Sequence, residues 1–265
     1  MKQENYIRGM IMIILSAFFF ACMNVSVRLA GDLPSVQKSF FRNLVAAFFA
    51  AIILIKNHTA PKVEKTQWGS LFLRCAFGTL GILCNFYAID HLLVADASIL
   101  NKLSPFFAII FSFLLLKEKI KPAQAMCVIL AFVGCLFVVK PGFENAHLIP
   151  ALIGVCGGLG AGIAYTMVRK MGTHGVKGPV IVFYFSCFSC IIVIPWIVFH
   201  YQPMSLWQLL TLLLSGRFSA EDSLRSPQHI PMHPPEKFLF LIIHRLFLQH
   251  YLDFFYSRRF RIDTV

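Results

Sequence analysis

The chain has 265 residues, 58% of them hydrophobic and 14% charged, with a formal net charge of +12 and a mean hydropathy of +0.72. That hydropathy is far above a soluble domain's and excludes a water-exposed globule. The positive charge has no basic–aromatic groove to serve, so nucleic acid is excluded as a partner; the charge lies between apolar runs and beyond residue 216.

Runs long enough to cross a bilayer fall near 8–28, 35–55, 68–89, 95–116, 122–139, 148–168 and 179–199. A spanning helix needs about 20 mostly apolar residues, because the hydrocarbon core is roughly 30 Å thick. The first run is too long for a signal-peptide core and lacks a small-residue cleavage site, so it reads as a retained helix. The connectors alternate in basic content. Lys2 and Arg8 precede the first run; Lys56, Lys62 and Lys65 follow the second; Lys117, Lys119 and Lys121 follow the fourth; Arg169, Lys170 and Lys177 follow the sixth. The intervening connectors hold Arg28 and Lys38, then none, then Lys140, then none. Cytoplasmic loops carry the Lys/Arg excess, which predicts a cytoplasmic N-terminus, with 58–65 and 171–177 inside and 90–94 and 142–147 outside. The expected fold class is all-α: a polytopic membrane helix bundle, with the lipid bilayer as its solvent.

All eight cysteines fall within apolar runs, where a free thiol behaves as a small hydrophobe. Cys187 and Cys190 have C-x-x-C spacing but lack the βαβ context of a redox motif. His229 and His233 are four apart, yet Pro231 and Pro234 break the helix that a metal pair would need. No cofactor, metal or catalytic constellation is implied.

Two segments repeat. Residues 16–31 and 157–172 align without gaps at an offset of 141, pairing Ser16 with Gly157, Ala21 with Gly162, Val27-Arg28 with Val168-Arg169 and Gly31 with Gly172. Trp68 and Trp207, offset by 139, each open an apolar run. Five runs separate the copies, so Arg28 is expected outside and Arg169 inside, an inverted five-helix repeat. Secondary carriers recurrently use that plan, with the substrate near the midplane. Gly154, Gly158 and Gly162 are spaced by four and continue into an apolar helix, which predicts a smooth packing ridge rather than a nucleotide loop.

Ionisable residues at membrane depth mark pathways or paired sites. Arg42 lies roughly 10 Å from the outer end of the second run at 1.5 Å rise per residue, and Lys102 at a comparable depth in the fourth. Asn24, Asn85, Tyr87, Asn101 and Tyr165 add hydrogen-bonding groups. Two readings compete for the pair of cations: an anionic or carboxylate-bearing solute, or structural pairing with Asp96 or helix-end carbonyls. Arg74 is nearer the cytoplasmic end and reads first as snorkelling to the inner headgroups. Pro105 removes a backbone donor beside Lys102, giving a hinge or a tolerated kink. The expected substrate-contacting residues are Asn24, Arg42, Asn85, Asn101, Lys102 and Tyr165.

The stretch 95–142 is the most specific. Ala95-Asp96-Ala97-Ser98, Pro105-Phe106, Glu118, Gln124, Gly134 and Pro141-Gly142, together with Arg42, Arg74 and Tyr87-Ala88, resemble an EamA domain of the drug/metabolite transporter superfamily. The resemblance covers about 8–215. It implies ten helices in two inverted five-helix repeats that move small metabolites across the membrane; about seven and a half are recognisable here. The expected organisation is a first repeat at 8–142, an incomplete second repeat at 148–215 and a basic, apolar tail at 216–265. Carrying the tryptophan offset forward sets Glu221, Asp222 and Arg225 opposite Ile82, Leu83 and Phe86, so the tail reads as a shifted reading frame, or else as an amphipathic surface segment. The expected function is alternating-access transport of a small organic solute by a secondary carrier of the bacterial cytoplasmic membrane, with a homodimer as the assembly in view. The competing reading is a non-transporting membrane interaction protein, or an inactive truncated or frameshifted product.

Overall fold

The structure, a computed structural model, describes residues 15, 18–117, 122–139 and 148–225. The expectations for Glu118, Lys119, Lys121, Lys140, Pro141-Gly142, the connector 142–147, the His229/His233 pair and the tail beyond 225 lie outside those residues. Among the described residues all regular structure is helical.

α1 (Phe18–Leu29) leads through a turn, with Gly31 at φ 67°, into α2 (Ser35–Lys56). Pro34 stands just ahead of α2, where its missing N–H costs no helical hydrogen bond. A short 3-10 turn (Lys65–Gln67) precedes α3 (Trp68–His91). The fourth run forms two pieces, α4 (Val94–Asn101) and α5 (Ser104–Leu116). The cause is Pro105, which cannot donate to the Asn101 carbonyl; the chain instead closes tighter bonds, Leu103 N–H to Leu100 O at 3.2 Å and Phe106 N–H to Leu103 O at 3.0 Å. α6 (Pro122–Val139), α7 (Leu148–Thr173), α8 (Gly178–His200) and α9 (Leu206–Arg225) follow. Gly175, at φ 80°, ends α7 and lets Val176 N–H reach back to Met171 O at 3.1 Å.

Among the described residues, five segments are long and apolar enough to cross a membrane: Ser35–Lys56, Lys65–His91, Asp96–Leu116, Leu148–Thr173 and Gly178–His200. Each matches an expected run. Their outward faces carry Phe48, Ile55, Phe72, Leu80, Ile191 and Val198, all exposed. That belt is an aggregation surface in water and the natural outer surface in lipid. α9 runs through residue 215, the expected end of the second repeat. It continues to Arg225, with Gly216 set against the Arg42 carbonyl and Val45 of α2 and with Ser219 and Ala220 buried.

α7 is central because it carries two smooth faces. Gly154, Gly158 and Gly162 lie against Leu100, Leu103 and Phe107 of the broken helix, as the spacing by four predicts. Gly157 and Gly160 form a second face, which the reading of spacing overlooked, against Gly81 of α3. In lipid there is no hydrophobic force between helices, so such small residues let dispersion contacts do the holding.

The two ends of the bundle are tied separately. At one end Arg28 donates to the Ile89 and Asp90 carbonyls at 2.9 Å, and Lys38 pairs with Asp90 at 2.6 Å. At the other, Lys177 donates to Thr59 Oγ1 at 3.2 Å and Tyr184 to the Pro61 carbonyl at 2.8 Å. The connectors predicted to be cytoplasmic near 58–65 and 171–177 therefore share one end, and 90–94 lies at the opposite one. α1 ends at the second of these ends and α7 at the first, so the two matched segments run in opposite directions.

Candidate functional site

A cavity of about 90 Å³ lies among α1, α2, α3, α4, α7 and α8. Four of the six residues expected to contact a solute line it: Arg42 from α2, Asn85 from α3, Asn101 at the end of α4 and Tyr165 from α7. They converge because the two glycine faces of α7 bring α3 and the broken helix close on either side of Tyr165. Pro105 sets Asn101 at the break. Both asparagines are buried, and the Oδ1 atom of Asn85 has no hydrogen-bond partner. A buried unpaired amide oxygen costs roughly 1–3 kcal/mol unless something binds it.

Arg42 is 8% exposed and donates through Nη1 to Asn43 Oδ1 at 2.8 Å. Asn43 in turn donates to Ser189 Oγ of α8 at 2.7 Å and to Ser39 Oγ at 3.2 Å. This buried chain fixes the guanidinium across the α2–α8 contact. Nothing in hydropathy singles out Asn43 or Ser189; only the adjacency of Asn43 to Arg42 could have hinted at it.

The other two expected residues stand beside the cavity and are not among its lining groups. Asn24 is fully buried and donates to Ser98 Oγ at 3.3 Å, tying α1 to α4, while its neighbour Met23 faces the cavity. Lys102 is the residue after Asn101 in the break, and its backbone N–H closes α4 onto Ser98 O at 3.0 Å.

Arg74 is a difference of another kind. Snorkelling would carry its guanidinium to the near end of α3. Instead it lines the cavity, with Cζ 4.0 Å from the centroid of the Phe185 ring on α8. The sequence reading also set Lys38 in a connector and Asp90 at the start of the external connector 90–94. Lys38 is a fully buried residue of α2, and Asp90 accepts from both Lys38 Nζ at 2.6 Å and Ser35 Oγ at 2.8 Å. Gln37, also fully buried, exchanges two bonds with the Gln202 backbone, at 2.9 and 3.0 Å. These polar groups fasten α2 to α3 and to the α8–α9 connector, which frees Arg42, further along α2, to face the interior.

Fold and cavity together define the class: a polytopic α-helical integral membrane protein with an internal polar cavity whose charged lining groups are two arginines. More particularly, the chain belongs to the EamA-like transporter family, whose model matches residues 7–140. It is 32% identical over 190 residues to the pseudopaline exporter CntI of Pseudomonas aeruginosa, covering 71% of this chain and 65% of that protein. It is 27% identical over 176 residues to human solute carrier family 35 member G1, covering 62% of this chain and 48% of the carrier. A riboflavin transporter of Brucella anthropi is 27% identical over 161 residues, covering 60% and 56% of the two chains. The chain thus spans at most 65% of the length of these relatives. One solved crystal structure superposes with a TM-score of 0.60 at 12% identity, over 95% of this chain and 98% of that one, a likeness of fold alone. The relatives are drug/metabolite-superfamily transporters, and their names point to membrane transport rather than to enzymatic catalysis.

Proposed function

We propose that this protein is a secondary carrier that moves a small organic metabolite by alternating access, in a bacterial cytoplasmic membrane and with its N-terminus inside. The observation that carries this reading is one cavity at membrane depth in which arginine, two asparagines and a tyrosine from opposite halves of the chain meet. Polar groups there are expensive and are retained where a polar solute or water replaces the lost hydration. Arg42 meets an anionic group of the solute, for which a carboxylate fits its planar fork. Asn85, Asn101 and Tyr165 supply adaptable hydrogen bonds, and Asn24 and Lys102 support them from the adjoining positions. The opposite directions of α1 and α7 favour an organisation of inverted repeats at 8–142 and 148–215. Smooth glycine faces on both sides of α7 favour relative motion of the halves without loss of side-chain interlock.

Reconstitution into proteoliposomes tests the reading. Loaded vesicles are expected to exchange at least one radiolabelled anionic metabolite from a panel of amino acids, hydroxy acids and dicarboxylates faster than protein-free vesicles. Flux at the protein-free rate for the whole panel, and for neutral sugars and nucleosides, would remove it.

A further inference from the structure

Arg74 takes an unusual course for a cation near a helix terminus. A helical side chain leans toward its own N-terminus, and for α3 that end is also the nearer headgroup layer. Both preferences would carry the guanidinium out. It turns the other way, forward along α3, so that Nη1 and Cζ occupy the space where a side chain at Gly78 would stand. The Cβ of any other residue at position 78 would meet the guanidinium and would also lie 2.9 Å from Phe185 Cε2. Phe185 covers one face of the guanidinium from α8, leaving its N–H edge for an in-plane partner. The Nε atom is buried and makes no hydrogen bond. No Asp or Glu lines the cavity among the described residues.

From this geometry, and resting on the carrier reading above, we infer that Arg74 is a second anion-contacting residue, that Gly78 is the residue positioning it, and that the solute is a compact organic dianion. Two guanidinium groups from opposite ends of the bundle line one internal cavity. Each stabilises a carboxylate through paired N–H bonds, and each costs more when it faces a neutral group. A solute with two carboxylates answers both, and one with a single carboxylate at the Arg42 end leaves the buried Arg74 facing a neutral group. The depths support this division, because Arg42 stands nearer the Asp90 end and Arg74 nearer the Thr59 end. Gly78 acts indirectly: it supplies the vacant volume without which Arg74 would be driven back to the headgroups.

The test uses the purified full chain in detergent micelles, with binding of succinate, glutarate and their monomethyl esters measured by calorimetry. Wild type is expected to bind a diacid about tenfold to a hundredfold more tightly than its monoester, the worth of one charge-assisted contact. Arg74→Gln should abolish the preference, reducing the diacid to the monoester's affinity, and Gly78→Ala should do the same with the arginine still present. The double variant Arg74→Gln/Gly78→Ala should be no worse than Arg74→Gln alone, since both changes act through one contact. Arg74→Lys, which keeps the charge but loses the fork, should restore part of the preference. A diacid preference intact in Arg74→Gln overturns the assignment, as does equal binding of diacid and monoester by wild type. Either result leaves the carrier reading standing if Arg42→Gln still weakens anion binding or if the vesicles move another solute; vesicles that move nothing sink that reading separately.

Discussion

Replacing Gly160 with alanine probes the contact that builds the cavity. α3 and α7 meet backbone to backbone at Gly81, Gly157 and Gly160, and the residues on either side of that contact include Asn85 and Tyr165. A Cβ at position 160 would lie 2.9 Å from the Phe77 carbonyl oxygen and 3.2 Å from Gly81 Cα. Both neighbours are backbone atoms and cannot swing aside, so α3 has to retreat by about 0.5 Å to reach ordinary contact, enough to forfeit roughly a quarter of the dispersion energy at each atom pair it leaves. Overpacking of this kind costs ~1–3 kcal/mol. Alanine recovers ~0.5–1 kcal/mol by restricting the unfolded backbone and favouring helix. The net expectation is a loss of ~0–2.5 kcal/mol, a fall in melting temperature of up to ~10 °C for a chain of this size. Gly134→Ala is the matched control, because a Cβ there meets nothing within 4 Å. It keeps the helix gain and should melt at or slightly above wild type. Thermal unfolding in detergent can be followed with a thiol-reactive dye, since the buried free thiols of Cys75 and Cys190 become accessible only on opening. If Gly160→Ala melts as high as Gly134→Ala, α3 and α7 do not meet through that glycine and the cavity geometry built on it fails.

Arg42→Gln should weaken binding of an anionic solute about tenfold to a hundredfold while leaving the melting temperature close to wild type, and Lys102→Gln should change affinity little; calorimetry beside the dye assay separates binding from folding, and equal effects of the two variants would remove Arg42 from its role. Lys38→Ala leaves the Asp90 carboxylate, 18% exposed, with only its hydroxyl partner; the expected loss is ~2–4 kcal/mol, somewhat less than for a fully buried pair, and Lys38→Met/Asp90→Asn should recover most of it. A single variant as stable as wild type would show that the pair does not fasten α2 to α3. In a background lacking the exposed Cys156, a membrane-impermeant thiol reagent added to intact cells should label His91→Cys and spare Lys62→Cys. The reverse pattern would invert the proposed orientation.

The spans were legible because crossing a bilayer is a local requirement: each helix has to be apolar over its own length, and among the described residues five of the seven expected runs reappear as helices that meet it. The break at Pro105 was legible for the same reason, since a missing N–H acts within one turn. So was the ridge of Gly154, Gly158 and Gly162, whose spacing lies in the chain itself. What those residues touch was not. Lipid tails are as apolar as leucine, so hydropathy does not say which face of a helix meets protein and which meets solvent, and the second glycine face, Gly157 with Gly160, had no signal until Gly81 was opposite it. Arg74 and Lys38 show the same division. Each was read from its distance to a run end, which makes one a snorkelling cation and the other a loop cation. Their actual places depend on groups far along the chain, the Phe185 ring and the Asp90 carboxylate, brought near only when α8 and α3 dock. The sequence by itself therefore determined a bundle of spanning helices, the location of its break and four of the polar residues that line the cavity. The tertiary structure alone decided which of those residues share a cavity, because burial of a charge at membrane depth is favourable only where packing supplies a partner from another helix.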